Sequence, residues 1–135
     1  MKVTTYTDGG SRGNPGPSAL GVVIKDEHGR TLANYGEYLG ITTNNVAEYS
    51  ALISALHKAH ELGATEVDCV MDSKLVAEQM NRRWKVKEAH LQTLFVKAWN
   101  AVAGFKHVHF RHVYREHNKE ADAALNKVLD AHMKK

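Results

Sequence analysis

Four acidic residues occupy places where a folded chain ordinarily puts apolar side chains or turn residues. Asp8 and Asp72 close the β-like runs KVTTYTD and EVDCVMD, and strand ends are where sites in α/β folds collect. Glu48 and Asp122 fall on the apolar stripes of two helical segments. Turned at about 100° per residue, residues 43–63 put Ala51, Leu52, Ala55, Ala59 and Leu62 on one stripe with Glu48 in its middle, while Ser50, Ser54, His57, Lys58 and Glu61 lie opposite. In the last helical segment Leu125, Leu129 and Met133 form the stripe, and Asp122 lies on it. Taken singly, Asp72 reads as a helix N-cap before Ser73, Asp8 as a turn residue before Gly-Gly, and Glu48 as a first-turn acid favoured by the helix dipole. Brought together, the four would repel one another and raise each other's pKa unless a cation neutralised them. Such hard oxygen ligands suit Mg²⁺ or Mn²⁺, and the sequence holds no cysteine and histidine pattern of zinc type.

The elements that must position these acids follow from periodicity. Residues 2–8, 18–26 and 31–39 have strand-like character, the last two joined by the turn EHGR, and predict three consecutive antiparallel strands. A helix runs from Thr43 to Gly63, with Thr42 or Thr43 as N-cap and Gly63 as its stop. A fourth strand covers 66–72, helices cover 73–84 and 87–104, a fifth strand covers 106–114, and a helix over 118–133 follows. The order βββαβααβα, with a right-handed crossover between parallel strands, predicts an α/β fold built on a five-stranded mixed sheet flanked by helices.

At 135 residues, 43% hydrophobic and 24% charged, the chain is expected to form one domain over 1–135. No apolar run approaches the roughly 18 residues of a membrane span, so no membrane partner is expected and a cytoplasmic location is. One cysteine, Cys69 in VDCVM, excludes an internal disulfide and reads as a buried, inert thiol. A net charge of +3 mildly favours an anionic partner.

Four of the ten glycines and both prolines crowd into Gly9 to Pro17. Beside an acid, such glycines would let the backbone approach a nucleic-acid strand, with Gly9, Gly10 and Ser11 offering main-chain contacts to sugar and phosphate. A P-loop does not fit, because Gly-Lys-Ser/Thr is missing and the run leads into a strand. Asn14, Asn44 and Asn45 have the donors and acceptors to read 2′-hydroxyls and minor-groove edges, and also suit turns and caps. NRRWKVK (81–87) interleaves four basic residues with Trp84, a stacking and phosphate-contacting device or a solvated helix end. Trp99, in line with Phe95 and Val102, reads as core, and KHVHFRHV as a polar sheet face.

The segments TDGGSRGNPG, TTNNVAEYSAL, MDSKLV and REHNKEADAALN resemble the four motifs of the ribonuclease H type 1 family, in order and spacing, over about residues 2–130. The resemblance implies the ribonuclease H-like fold and endonucleolytic cleavage of the RNA strand of RNA/DNA hybrids, leaving 3′-hydroxyl and 5′-phosphate ends. It implies two Mg²⁺ ions, or Mn²⁺ in substitution, held by Asp8, Glu48, Asp72 and Asp122, with Asp8 bridging both. It further implies that Thr43 binds a phosphate of the DNA strand; Trp84 and Lys85 of NRRWKVK are the other candidate substrate contacts, and a monomer is expected. Many relatives carry a longer basic protrusion, for which only Arg82 to Lys87 stand in, and a flexible histidine-bearing loop, for which His117 is the candidate proton donor. A non-catalytic hybrid-binding module of the same fold is the alternative, and another nuclease of this fold, such as a junction resolvase, a third.

Overall fold

The computed structural model describes residues 1–133. Threonine- and valine-rich runs make the first two strands, β1 (Lys2–Ser11) and β2 (Gly16–Lys25), which pair antiparallel, and β3 (Thr31–Thr42) pairs antiparallel with β2. A crossover through helix α1 (Asn44–Glu61) returns the chain to β4 (Glu66–Met71), which lies parallel to β1. Helices α2 (Lys74–Met80) and α3 (Ala89–Val102) lead to β5 (His107–His112), parallel to β4, and helix α4 (Lys119–Met133) follows a single 3₁₀ turn at Arg115–His117. The sheet order is β3-β2-β1-β4-β5. This is the five-stranded mixed sheet, in the order βββαβααβα, that the periodicity predicts. Among the described residues no helix is long and apolar enough to cross a membrane.

One sheet face and α1, α2 and α3 enclose the main core, with Val22, Ile24, Leu52, Leu56, Val67 and Met71 almost fully buried. On the other face α4 packs over β2, β3 and the end of β1, with Leu125 and Leu129 against Ala19. Cys69 lies in the core, and burial pushes its thiol up to about 12. His107, His109 and Arg111 alternate outward along β5, and Arg111 pairs with Asp68 at 3.1 Å. They form the expected polar face.

Several boundaries differ from the expectation. β1 does not end at Asp8; it continues through Gly9 and Gly10 to Ser11 because its antiparallel ladder with β2 runs on to the pair Ser11 and Ser18. α2 stops at Met80, and Arg82 adopts φ +60°, which no helix continues through. Ser73, not Asp72, caps α2, its hydroxyl accepting from the Val76 amide at 3.2 Å. Met133 is exposed and not part of the α4 stripe.

Candidate active site

Thr43 caps α1 as expected, its Oγ1 accepting from the Val46 amide at 3.4 Å. This fixes the first turn, and Glu48 lies one turn further on. How closely that turn approaches the sheet is set by Gly9. A Cβ there would lie 2.2 Å from the carbonyl carbon of Ala47 and 2.4 Å from the Glu48 amide nitrogen, so any side chain would push the helix away. With the helix this close, the Gly9 amide donates to Glu48 Oε1 at 2.9 Å. Gly9 is itself buried and seats the helix, while also bordering the cleft described below.

The same device serves α4 on the opposite face. Cβ atoms at Gly21 and Gly36 would meet the carbonyl oxygens of Ala121 and Ala124 at 2.1 and 2.5 Å. Gly21 is the cross-strand partner of Asp8, so the helix carrying Asp122 lies against the strand pair that carries Asp8. Asn118 fastens its start: Nδ2 donates to the Thr7 carbonyl at 2.8 Å, and the Asn118 carbonyl accepts from the Asp122 amide at 3.1 Å.

Asp8 lies inside β1, yet the last residues paired between β1 and β4 are Thr7 and Met71. Asp8 is thus the first residue of β1 beyond its parallel neighbour, and Asp72 is the first residue beyond β4. A cleft of about 590 Å³ opens there. Carboxylate oxygens of Asp8, Glu48 and Asp72 lie within 4.8 Å of one another in it, and Asp122 lines the same cleft. Gly10, Ser11, Asn44 and Asn45 also border it.

The electrostatics are those of crowded acids that Arg115 only partly offsets. Asp8 is 3% exposed, and its Oδ2 is buried with no hydrogen-bond partner among the described residues. Burial, followed by the charges of Glu48 and Asp72, pushes its pKa up to about 10. Burial and the Asp72 charge raise Glu48 to about 8, against the Gly9 hydrogen bond and the Arg115 charge, which lower it. Asp72 is raised by burial, opposed by its hydrogen bond with Asp8 and by Arg115. An orphaned buried oxygen among converging carboxylates fits a hard divalent cation, which would replace the protons and satisfy that oxygen.

The asparagines bind each other before anything else. Asn14 Oδ1 accepts from the Asn44 amide at 3.1 Å, and Asn44 Oδ1 accepts from the Ser11 amide at 2.8 Å. Each has an acceptor engaged in tying the β1–β2 turn to the start of α1, and both residues are exposed, with no hydrogen bond from Nδ2 among the described residues. Trp84 and Lys85 border a different cleft, with Arg82, Arg83 and Phe95. His117 does not reach the acids. It is exposed on the 3₁₀ turn and borders a separate small cleft with Tyr6, Lys25 and Glu116, because the turn after β5 directs it to the other side of the α4 N-terminus. The cleft instead presents Arg12, His112, Tyr114 and Arg115. Sequence reasoning missed all four. A basic residue seven positions before Asp122 was the available signal for Arg115.

A family model described as "Reverse transcriptase-like" matches residues 6–128. The bifunctional protein Rv2228c of Mycobacterium tuberculosis is 47% identical over 132 residues, 97% of this chain and 36% of that protein. The chain therefore spans little more than a third of the length of these mycobacterial relatives. Ribonuclease HI of Halobacterium salinarum is 40% identical over 129 residues, 96% of this chain and 65% of that protein. The crystal structure of the Halobacterium RNase H1 superposes with a TM-score of 0.95, covering 97% of this chain and 99% of that one at 40% identity. LC11-RNase H1, solved in complex with an RNA/DNA hybrid, superposes with a TM-score of 0.93 at 43% identity, covering 97% and 99% of the two chains.

Proposed function

The chain belongs to the ribonuclease H type 1 family, and from that premise we propose that it is a metal-dependent endonuclease cutting the RNA strand of RNA/DNA hybrids. The observation that carries the reading is the convergence of Asp8, Glu48 and Asp72 to within 4.8 Å around an unpartnered Asp8 oxygen. The relative solved with a hybrid, alike over nearly its whole length, supports the substrate.

Asp8, Glu48 and Asp72 would hold divalent cations, Mg²⁺ or Mn²⁺, with Asp122 completing the set from α4. Such a pair of ions, when bound, activates water and stabilises the departing 3′ oxygen of an in-line displacement, leaving 3′-hydroxyl and 5′-phosphate ends. The protein's own part is positional. Gly9 and Gly21 set the depth of the two helices that carry Glu48 and Asp122. Arg115, whose charge opposes the rise in the pKa values of Glu48 and Asp72, would ease the displacement of their protons by a metal. The unengaged Nδ2 groups of Asn14 and Asn44 would donate to 2′-hydroxyl and minor-groove acceptors of the RNA strand, and backbone at Gly10 and Ser11 would contact sugar and phosphate. Thr43 and Asn45 flank these donors at the start of α1. We further take residues 1–135 as one ribonuclease H domain, monomeric and cytoplasmic. Its buried free thiol suits a reducing compartment.

The test is cleavage of an end-labelled RNA/DNA hybrid with Mg²⁺, Mn²⁺ or EDTA, beside Asp8→Asn and matched single-stranded RNA, double-stranded RNA and double-stranded DNA. Metal-dependent cutting of the hybrid's RNA strand, lost in Asp8→Asn, is the expected result. Tight hybrid binding without cutting under any metal would refute the enzyme and leave a binding module of the same fold.

A further inference from the structure

The basic segment after α2 is in part engaged within the protein. Arg82 stacks its guanidinium over the Trp99 ring, 4.7 Å from the centroid. Arg83 is bound through Nε and Nη2 to Glu78 at 2.5 and 3.1 Å. Both arginines are thus engaged within the protein. The groups left to meet an anionic partner are the exposed Lys85 and Lys87, beside a Trp84 that is 45% exposed.

What fixes these outward groups is a buried amide. Gln79, in the last turn of α2, is 4% exposed, as rare for a glutamine as it is costly unless both ends of the amide are satisfied. Both are. Its Oε1 accepts from the Tyr49 hydroxyl at 2.5 Å, and its Nε2 donates to the Lys85 carbonyl at 3.2 Å. Tyr49 is fully buried and adjoins Glu48 on α1, and α2 itself begins just after Asp72. Gln79 therefore ties the Lys85 backbone to α1, which carries Glu48, and to α2, which starts just after Asp72. Around it the turn is held by Asn81 Nδ2 on the Phe110 carbonyl at 3.0 Å and Gln92 Nε2 on the Val86 carbonyl at 2.8 Å. Those bonds brace the turn against β5 and α3. The Arg83 and Trp84 amides hold it to α2 through the Glu78 carbonyl at 2.9 and 3.3 Å, and among the described residues the Gln79 amide is what links it by hydrogen bonds to α1 and so to Glu48.

We propose that Gln79 is a positioning residue for substrate grip, holding Trp84 and Lys85 in fixed register with the acid cleft through the chain Tyr49, Gln79, Lys85. The inference rests on the hybrid-nuclease reading above and deepens it. It separates two functions of one surface: the acids bind metal whether or not the turn is fixed, whereas the hybrid is gripped well only when it is.

The experiment compares wild type with Gln79→Leu and Tyr49→Phe. Three quantities are read: amide hydrogen exchange at residues 84–87 in the free protein, Mn²⁺ affinity by calorimetry, and KM and kcat on a hybrid. Tyr49→Phe keeps the buried ring and guards against a leucine variant that fails to fold. In Gln79→Leu the turn amides should exchange at least tenfold faster, and KM should rise about five- to thirtyfold, the factor expected for one or two lost hydrogen bonds. kcat should stay within about threefold of wild type, as a grip shared by ground and transition states requires, with Mn²⁺ affinity unchanged. Tyr49→Phe should move the same quantities the same way by less. Unchanged exchange, an unchanged KM, or Mn²⁺ affinity falling in step with KM would each overturn the role assigned to Gln79. A wild-type protein that binds no hybrid would overturn the nuclease reading and this one with it, whereas a wild type that cuts hybrid and a Gln79→Leu variant that grips it equally well would overturn this one alone.

Discussion

Replacing Asp8 with asparagine should make the metal-free protein more stable, although it removes the centre of the site. A carboxyl whose pKa is raised by folding keeps its proton in the native state at pH values where the unfolded chain has released it, so native stability falls as pH rises through that window. For Asp8 the window runs from the ordinary value of 3.8 to about 10. At about 1.4 kcal/mol per pH unit, the loss reaches about 4 kcal/mol by neutral pH. Because Asp8 and Glu48 share their protons, that loss belongs to the pair. An asparagine removes the titration and leaves one buried polar atom short of a partner, at about 1 kcal/mol. The net gain near pH 7 is then about 3 kcal/mol, which for a chain of this size raises Tm by roughly 10 °C. The assay is thermal unfolding of both proteins in EDTA from pH 4 to pH 9. The two curves should cross at about pH 4.5, where the gain from removing the titration equals the cost of the unpartnered amide, and separate steadily above it. Excess Mg²⁺ should then raise the wild-type Tm and leave the variant nearly unmoved, since only a ligand of the native state stabilises it. A variant that tracks wild type at every pH in EDTA would refute the claim that the acid cluster is strained without metal.

Removing the Arg115 charge by Arg115→Ala should raise the pKa values of Glu48 and Asp72, so the pH midpoint of Mn²⁺ binding, followed by calorimetry, should move upward; an unmoved midpoint would refute the coupling. Gly9→Ala would drive a methyl group into the Ala47 and Glu48 backbone at 2.2–2.4 Å, and displacement of α1 should cost about 3 kcal/mol of stability in denaturant unfolding and at least tenfold in Mn²⁺ affinity. Cys69, fully buried with its thiol pushed up to about 12, should resist a thiol reagent in the native protein and react completely in guanidinium.

What the sequence makes legible here is whatever depends on a residue's own element. Glu48 and Asp122 stand out because each interrupts a helical apolar stripe, and the strand and helix order follows from local periodicity and from caps such as Thr43. The features that escape are pairwise and long-range. Gly9, Gly21 and Gly36 lie on three different strands, where a lone glycine reads only as a weakness in β-propensity, and the crowding of Gly9 with Gly10 suggests a turn. Their common cause, a helix backbone pressed on each, exists only once the sheet has assembled. His117 misled for the same reason: its distance from Asp122 in sequence is short, but a single 3₁₀ turn faces it away from the acids, while Arg115, two residues earlier, borders them.

These observations bear on how such a site is held. Acids that repel one another would relax apart if they stood on mobile loops, and the cleft would then bind metal only after paying to gather them. Here Asp8 is fixed by strand pairing on β2, and the two helices bringing Glu48 and Asp122 are stopped by backbone contact at glycines on opposite faces of the sheet. Neither helix can retreat along the sheet without breaking the bonds that fix its start, Asn14 to Asn44 for α1 and Asn118 to Thr7 for α4. The repulsion is therefore retained as raised pKa values and an unpartnered oxygen, and its release is available to whatever cation enters. A site prepared in this way gains metal affinity from rigidity in the surrounding fold.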